Sequence, residues 1–213
     1  MQLTGTMLVL TRHIFSRPYF NALRAYVLLF KDRQGDWCID ALRSEQGRAI
    51  TCFLSPFDAM IEAAQLARSG QSCRVMPASD VEKNLFCDAD ERGLLADIVM
   101  GWTACNKQII TRPGGAFGRS ATVMHHWAVY PSQFEVDEFI LAEYVGYRER
   151  AGLFAWQETA AGFLRWPDER RYELAERALA STELTHGTAQ DCDEIALYDP
   201  EFEQWHFVPY TGR

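Results

Sequence analysis

Residues 48–77, RAITCFLSPFDAMIEAAQLARSGQSCRVMP, carry the strongest local signals for the fold of this chain. The first seven of them are mostly apolar and include β-branched side chains, which predicts a strand. Ser55 is a favourable N-cap, Pro56 suits the first position of a helix, and Gly70 stands where a left-handed residue ends one. A short strand from Cys73 follows and stops at Pro77. We therefore expect strand, helix and strand in that order.

The preceding residues extend this unit with a predicted hairpin. Residues 23–30 are rich in β-formers, residues 31–36 form a polar turn, and residues 37–40 return as a second strand. Residues 24–76 are thus predicted as β-β-β-α-β, a small sheet with one covering helix.

The rest of the chain is predicted to be richer in helix. Leu94, Leu95, Ile98 and Trp102 recur at helical spacings, so residues 90–102 are predicted as a helix. The further predictions are strands at 107–111 and 121–130, helices at 132–150 and 166–180, and a closing hairpin of 194–198 with 204–208.

These elements predict an α+β fold with a small, mostly antiparallel sheet, covering helices, a helical middle and a C-terminal β-hairpin. The predicted units are a sheet-plus-helix unit over residues 1–80 and a helix-rich acidic unit over residues 81–213. One continuous domain is the alternative.

Composition favours a globular protein in the cytoplasm. Apolar residues make up 48% of the chain and charged residues 23%, which is typical of a domain with a hydrophobic core. No stretch approaches the roughly 18 apolar residues of a spanning helix. The N-terminal residues lack the basic and apolar regions of a secretory signal, so the six cysteines are predicted to be free, mostly buried thiols.

Charge is divided unevenly along the chain. Residues 1–130 carry 14 basic and 12 acidic side chains, a net charge of +2, whereas residues 131–213 carry 7 and 17, a net charge of −10. Nucleic acid and anionic membranes would be repelled by the second half, so neither is expected as the main partner.

The acidic residues are densest near the C-terminus. Residues 183–203 contain seven acidic side chains and no lysine or arginine, and aromatic residues lie among and beside them. One interpretation is a solubilising acidic edge strand. The other is a surface that binds a basic protein through carboxylates and aromatic anchors. The predicted partner-binding residues are Glu183, Asp191, Asp193, Glu194, Asp199, Glu201, Glu203 and Trp205.

No catalytic residue, metal ligand or cofactor is predicted. His125 and His126 are neighbours on a predicted strand and would point to opposite faces, so they do not form a local metal site. Residues 113–120 are rich in glycine but lack the spacing of a phosphate-binding loop. Two alternatives stay open: an enzyme with a site assembled from scattered residues near His125, His126 and Arg112, and a structural adaptor subunit.

Residues 49–80 resemble the sheet-and-helix unit of SseB-like domains, in which a strand leads into Ser-Pro, an alanine-rich helix and a short strand ending at proline. The resemblance covers about 30 of 213 residues. Such domains recur among bacterial polymorphic-toxin immunity proteins. The resemblance implies a bacterial immunity or antitoxin-like protein. Together with the charge division, the acidic aromatic C-terminus and the lack of a catalytic motif, it leads us to expect a protein that binds and neutralises a basic toxin or effector.

Overall fold

The structure, a computed structural model, describes residues 25–44, 47–82, 85, 86, 94–126, 136–188 and 192–210. Within these ranges the chain forms four α-helices, eleven strands and a 3₁₀ turn at Ala78–Asp80. The helices are α1 (Pro56–Arg68), α2 (Glu138–Arg150), α3 (Trp156–Phe163) and α4 (Asp168–Ala180). The strands are β1 (Tyr26–Lys31), β2 (Trp37–Ile39), β3 (Ala41–Ser44), β4 (Gly47–Phe53), β5 (Cys73–Pro77), β6 (Leu94–Cys105), β7 (Gln108–Thr111), β8 (Arg119–His126), β9 (Glu183–His186), β10 (Glu194–Asp199) and β11 (Gln204–Pro209).

The local prediction around α1 is confirmed. Strands β1 to β4 precede the helix and β5 follows it, with Pro56 as the first helical residue. Ser55 has the extended backbone of an N-cap, although its side chain makes no capping hydrogen bond. Gly70 has a positive φ of 89°, and the N–H of Gln71 donates to the carbonyl of Leu66, which closes the end of the helix.

Strand β6 is the centre of the sheet. Strand β4 runs parallel to its first half, with Ala49 opposite Leu95 and Phe53 opposite Val99. Strand β8 pairs with its other edge in antiparallel direction, and β10 pairs with its last residues. The main strand order is β11-β10-β6-β4-β1-β2, with β3, β5, β7, β8 and β9 attached beside this path.

The predicted fold class is therefore wrong. The sheet has eleven strands and is mixed, since β4 is parallel to β6 and β7 is parallel to β9. It is neither small nor mostly antiparallel. Parallel neighbours need a covered crossover, and α1 lies within the connection between β4 and β6.

The predicted helical middle is also wrong, because residues 94–105 form strand β6. The run from Ala96 to Met100 is buried throughout. Strands that are covered on both faces have sequences that are apolar along nearly their whole length. Periodicity alone does not distinguish such a sequence from that of a buried helix. Tertiary pairing with β4 and β8 decides the outcome.

Helices cover both faces of the sheet. Leu197 of β10 belongs to the same hydrophobic cluster as Tyr147 of α2. The next residue, Tyr198, belongs to a second cluster with Phe57 of α1, Phe163 of α3 and Leu174 of α4. Since successive side chains of a strand point to opposite faces, α2 packs on one face and α1 and α4 on the other, whereas α3 contributes Trp156 to the first cluster and Phe163 to the second.

The helices predicted at 132–150 and 166–180 are confirmed in their later parts as α2 and α4, and the closing hairpin is confirmed as β10 and β11. Helix α3 and strands β3 and β9 were not predicted, so four strands precede α1 in place of the three predicted. The two-unit division stays a prediction, although β4 and β6 pair across the proposed boundary.

Among the described residues, no helix has both the length and the apolar character that crossing a membrane requires.

Candidate functional site

The turn between β10 and β11 is held in place by its own side chains. The Asp199 carboxylate accepts hydrogen bonds from the backbone N–H groups of Glu201 at 2.8 Å and Phe202 at 3.3 Å. Glu203 adopts a left-handed φ of 53°, and Arg177 of α4 donates to both of its carboxylate oxygens at 2.8 and 2.9 Å. Such contacts fix the direction in which Glu201 and Phe202 leave the turn.

The predicted acidic residues separate into two groups at opposite ends of β10. Asp199, Glu201 and Glu203 lie at its end. Asp193 and Glu194 lie at its start, about 17 Å away for a strand of this length. Glu183 belongs with the latter group, next to the turn between β6 and β7. Asp191 lies outside the described residues.

Several of these carboxylates already have partners within the protein. Glu203 is paired with Arg177. Glu194 accepts from the backbone N–H of Lys107 at 2.8 Å, and Glu183 accepts from the Gln108 amide at 2.8 Å. These contacts join neighbouring chain segments, so they account for part of the acidic composition without a partner protein.

Trp205 faces the protein interior. Its indole N–H donates to the carbonyl of Ala178 at 2.9 Å. Its ring lies 5.3 Å from that of Trp102 and 5.1 Å from that of Tyr198. The half-buried Trp205 therefore attaches the hairpin to α4 and the core.

Two exposed carboxylates and two exposed phenyl rings surround the β10–β11 turn. Phe154 and Phe202 are 76% and 74% exposed, and both line a cavity of about 210 Å³. Glu158 and Glu201 are exposed and line an adjoining cavity of about 340 Å³. No described lysine or arginine forms an ion pair with either carboxylate. We call Phe154, Glu158, Glu201 and Phe202 the turn surface.

Sequence reasoning named Glu201 as a partner-binding residue and missed Phe154 and Glu158. Both missed residues lie in or just before α3, where no element was predicted. The signal that could have found them is Phe154 and Trp156 directly after Gly152, an aromatic pair at the start of a new segment.

The floor of the smaller cavity contains a buried ion pair. Arg148 of α2 pairs with the Asp58 carboxylate of α1, and both side chains are almost completely buried. The Arg148 guanidinium also lies 4.5 Å from the Tyr144 ring and 5.6 Å from the Trp156 ring. Burial raises the pKa of Asp58, whereas the guanidinium opposes that rise. The pair connects α1 to α2.

A second charged cluster lies between α1 and the sheet. Glu62, which is fully buried, accepts from the indole N–H of Trp102 at 2.8 Å. Arg119 donates to Asp40 at 2.9 Å and lies 4.0 Å from Glu62. Burial raises the pKa of Glu62. The pKa of Arg119 is also raised, because the carboxylates of Glu62 and Asp40 outweigh the effect of its burial. Because Glu62 is closed to solvent, this cluster connects elements of the fold and does not present a reactive group.

The enzyme alternative names His125, His126 and Arg112, of which the structure describes the side chain of Arg112. His125 and His126 are successive residues of β8, opposite Leu95 and Leu94 of β6, and their side chains lie outside the described residues. Arg112 is half-buried, and burial lowers its pKa, with Arg119 adding to the effect.

Five of the cysteines lie within the described residues. Cys38, Cys52, Cys73, Cys105 and Cys192 are free, and Cys52 is the buried one among them. Burial raises the pKa of Cys73 to about 11. Burial also raises the pKa of Cys192, with a smaller contribution from Asp193.

No group of three histidine, cysteine or acidic side chains within the described ranges has the arrangement of a metal site. Comparison with protein-family models, curated proteins and solved structures gave no match to this chain. The resemblance to SseB-like domains therefore stays a prediction.

Proposed function

We propose that this chain is an immunity or antitoxin-like binding protein, which neutralises a basic toxin or effector by stoichiometric binding at the turn surface. The observation that carries the proposal is the combination of two exposed carboxylates without described ion-pair partners and two exposed phenyl rings, which line two adjoining cavities that share Glu201. Carboxylates of this kind attract a basic surface, and aromatic side chains supply the buried contact area that holds it.

The rigid turn supports this role. Asp199 and the Arg177–Glu203 pair hold the backbone around Glu201 and Phe202 before any partner arrives. A surface that is already ordered loses less conformational entropy on binding, so more of the contact energy appears as affinity. The carboxylates that have internal partners thus contribute indirectly.

Glu183, Asp193 and Glu194 have a different role in the proposal. They lie at the other end of β10, where they add to the negative field over the second half of the chain. Their expected contribution is to the rate of association, which depends on long-range charge, and not to the contacts of the bound complex.

The test uses a synthetic peptide of alternating arginine and glycine residues, titrated calorimetrically at 50 and at 300 mM NaCl. The Debye length, over which charges are screened, is about 14 Å at the lower salt concentration and about 6 Å at the higher one. We expect saturable binding that weakens at the higher salt. A Glu158→Arg, Glu201→Arg double variant is expected to bind about tenfold more weakly, which corresponds to about 1.4 kcal/mol.

The matched control reverses the same number of charges at the far end of β10, as Glu183→Arg with Asp193→Arg. We expect it to weaken binding by less than about threefold, because only the screened field changes. An equal loss in both double variants would show that net charge alone attracts the peptide. Absence of binding to the unmodified protein would overturn the proposal.

A further inference from the structure

The smaller cavity has aromatic walls and a sealed floor. It lies between the β10–β11 turn and the residues that precede α3, with a volume of about 210 Å³. Phe57 and Tyr198 are buried in its floor, and Phe154 and Phe202 keep about three quarters of their surface in solvent. Single exposed phenyl rings are ordinary, but two beside one cavity are typical of a binding site.

The charges around this cavity favour a cation. Its lining includes Arg148, Asp199 and Glu201, and Asp58 lies behind Arg148 as its ion-pair partner. The lining therefore holds two carboxylates and one guanidinium, and that guanidinium is already paired with Asp58. Even if Asp58 carried a proton, the two remaining carboxylates would outnumber Arg148, so a cation is attracted in either case.

One carboxylate oxygen and one buried hydroxyl at this cavity lack a described partner. Glu201 accepts from the Thr159 hydroxyl at 2.9 Å through Oε1, which leaves Oε2 without a described partner. The Tyr198 hydroxyl, in a fully buried side chain that lines the cavity, also has no hydrogen-bond partner. An unpartnered buried hydroxyl is costly unless a ligand or water reaches it.

The shape favours a guanidinium over an ammonium. A cavity of roughly 150 Å³ accommodates benzene, so this one has room for a planar group with a short aliphatic chain. Guanidinium groups stack on aromatic rings and form paired hydrogen bonds with carboxylates, whereas an ammonium is a compact, strongly hydrated charge. The chain itself provides an example nearby, where the Arg170 guanidinium lies 3.7 Å from the centre of the Trp166 ring.

We propose that this cavity receives one arginine side chain of the partner, with its guanidinium beside Phe154 and Phe202 and hydrogen-bonded to Glu201. The proposal rests on the function proposed above and names the partner's anchoring residue. It assigns the aromatic residues to recognition and Glu158 to attraction of the basic surface around that anchor.

The probe is ethylguanidinium, titrated while two-dimensional NMR follows the indole N–H of Trp156 and the backbone N–H of Phe202. We expect saturable shifts of both signals. Phe154→Ala and Phe202→Ala are each expected to weaken binding about five- to tenfold, the loss typical of one partly desolvated cation–π contact. The matched control is Phe139→Ala on α2, whose ring is 74% exposed but does not line the cavity; it should leave the affinity unchanged.

Other outcomes separate this inference from the proposed function. Equal affinity for butylammonium, or an unchanged affinity in both cavity variants, would overturn the arginine anchor. A further outcome is that the arginine–glycine peptide binds a Phe154→Ala, Phe202→Ala double variant as tightly as the unmodified protein. That result would overturn the arginine side chain in the cavity and leave the proposed binding of a basic partner in place. If ethylguanidinium bound at the cavity and the peptide did not bind at all, the proposed function would fail and the guanidinium site would stand.

Discussion

Two carboxylates of α1 and two beside the β10–β11 turn have the same chemistry in opposite surroundings. Asp58 and Glu62 are buried, and Arg148 and Arg119 lie against them. Glu158 and Glu201 are exposed and have no ion pair with a described residue. A buried carboxylate requires a partner because its desolvation is costly, whereas an exposed one does not. Arg148 and Arg119 thus stabilise the fold, whereas Glu158 and Glu201 are the carboxylates that the proposed function assigns to a partner.

Among the changes at the buried carboxylates, loss of Arg148 is expected to have the largest effect on the free energy of unfolding. Arg148→Ala leaves Asp58 buried with only the Tyr144 hydroxyl at 3.5 Å. We expect the free energy of unfolding to fall by about 3–5 kcal/mol, measured by urea denaturation with circular dichroism. As a control, Arg68→Ala removes an ion pair with Glu176 between exposed side chains and is expected to cost less than about 1 kcal/mol. Similar losses in both variants would contradict the distinction.

The pH dependence of Glu62 gives a smaller effect. Burial raises its pKa in the folded protein, so the folded state favours the protonated form. The stabilisation is complete below the unfolded pKa of about 4.3 and is lost as the pH rises through the folded value. The Glu62→Gln variant keeps an oxygen that can accept the hydrogen bond from Trp102. Because glutamine does not ionise, the variant does not lose this stabilisation as the pH rises.

The measurement for Glu62 is urea denaturation of both proteins between pH 4 and pH 8. We expect the stability of Glu62→Gln relative to the unmodified protein to increase across this range by on the order of 1 kcal/mol, since a tenfold weaker acid corresponds to about 1.4 kcal/mol. Parallel stability curves would show that Arg119 fully compensates the buried charge.

Changes at the exposed carboxylates, Glu158 and Glu201, are expected to have the smallest effect on stability. A Glu158→Gln, Glu201→Gln double variant should change the free energy of unfolding by no more than about 0.5 kcal/mol. The same variant should lose affinity for the arginine–glycine peptide in the calorimetric titration. A large loss of stability would assign these carboxylates to the fold and remove them from recognition.

Local signals in the sequence were sufficient for the region around α1. Pro56 and Gly70 mark the ends of that helix in the structure as they do in the sequence. The course of β6 was not predictable in the same way, because a largely apolar segment such as 94–105, interrupted by Asp97 and Thr103, fits both a strand and a buried helix. Its identity as a strand comes from pairing with residues more than 40 positions earlier in the chain.

The candidate site was predictable only in part. Composition identified Glu201 and the acidic C-terminal hairpin, but it placed seven carboxylates on one surface. The structure puts Glu194 and Asp199 at opposite ends of β10 and pairs Glu203 with Arg177. Asp58 lies in the first turn of α1, and its partner Arg148 lies 90 residues away in the chain. Contacts over such separations are set by the fold and not by local pattern.

The most direct test of this account exchanges the charge of the turn surface and of its ligand together. The arginine–glycine peptide and its glutamate–glycine counterpart are titrated into the unmodified protein and into the Glu158→Arg, Glu201→Arg variant. If Glu158 and Glu201 bind the partner, the preference between the two peptides should invert, so that the variant binds the acidic peptide more tightly than the basic one. An unchanged preference for the basic peptide in the variant would contradict the account, because the attraction would then come from charges elsewhere on the chain.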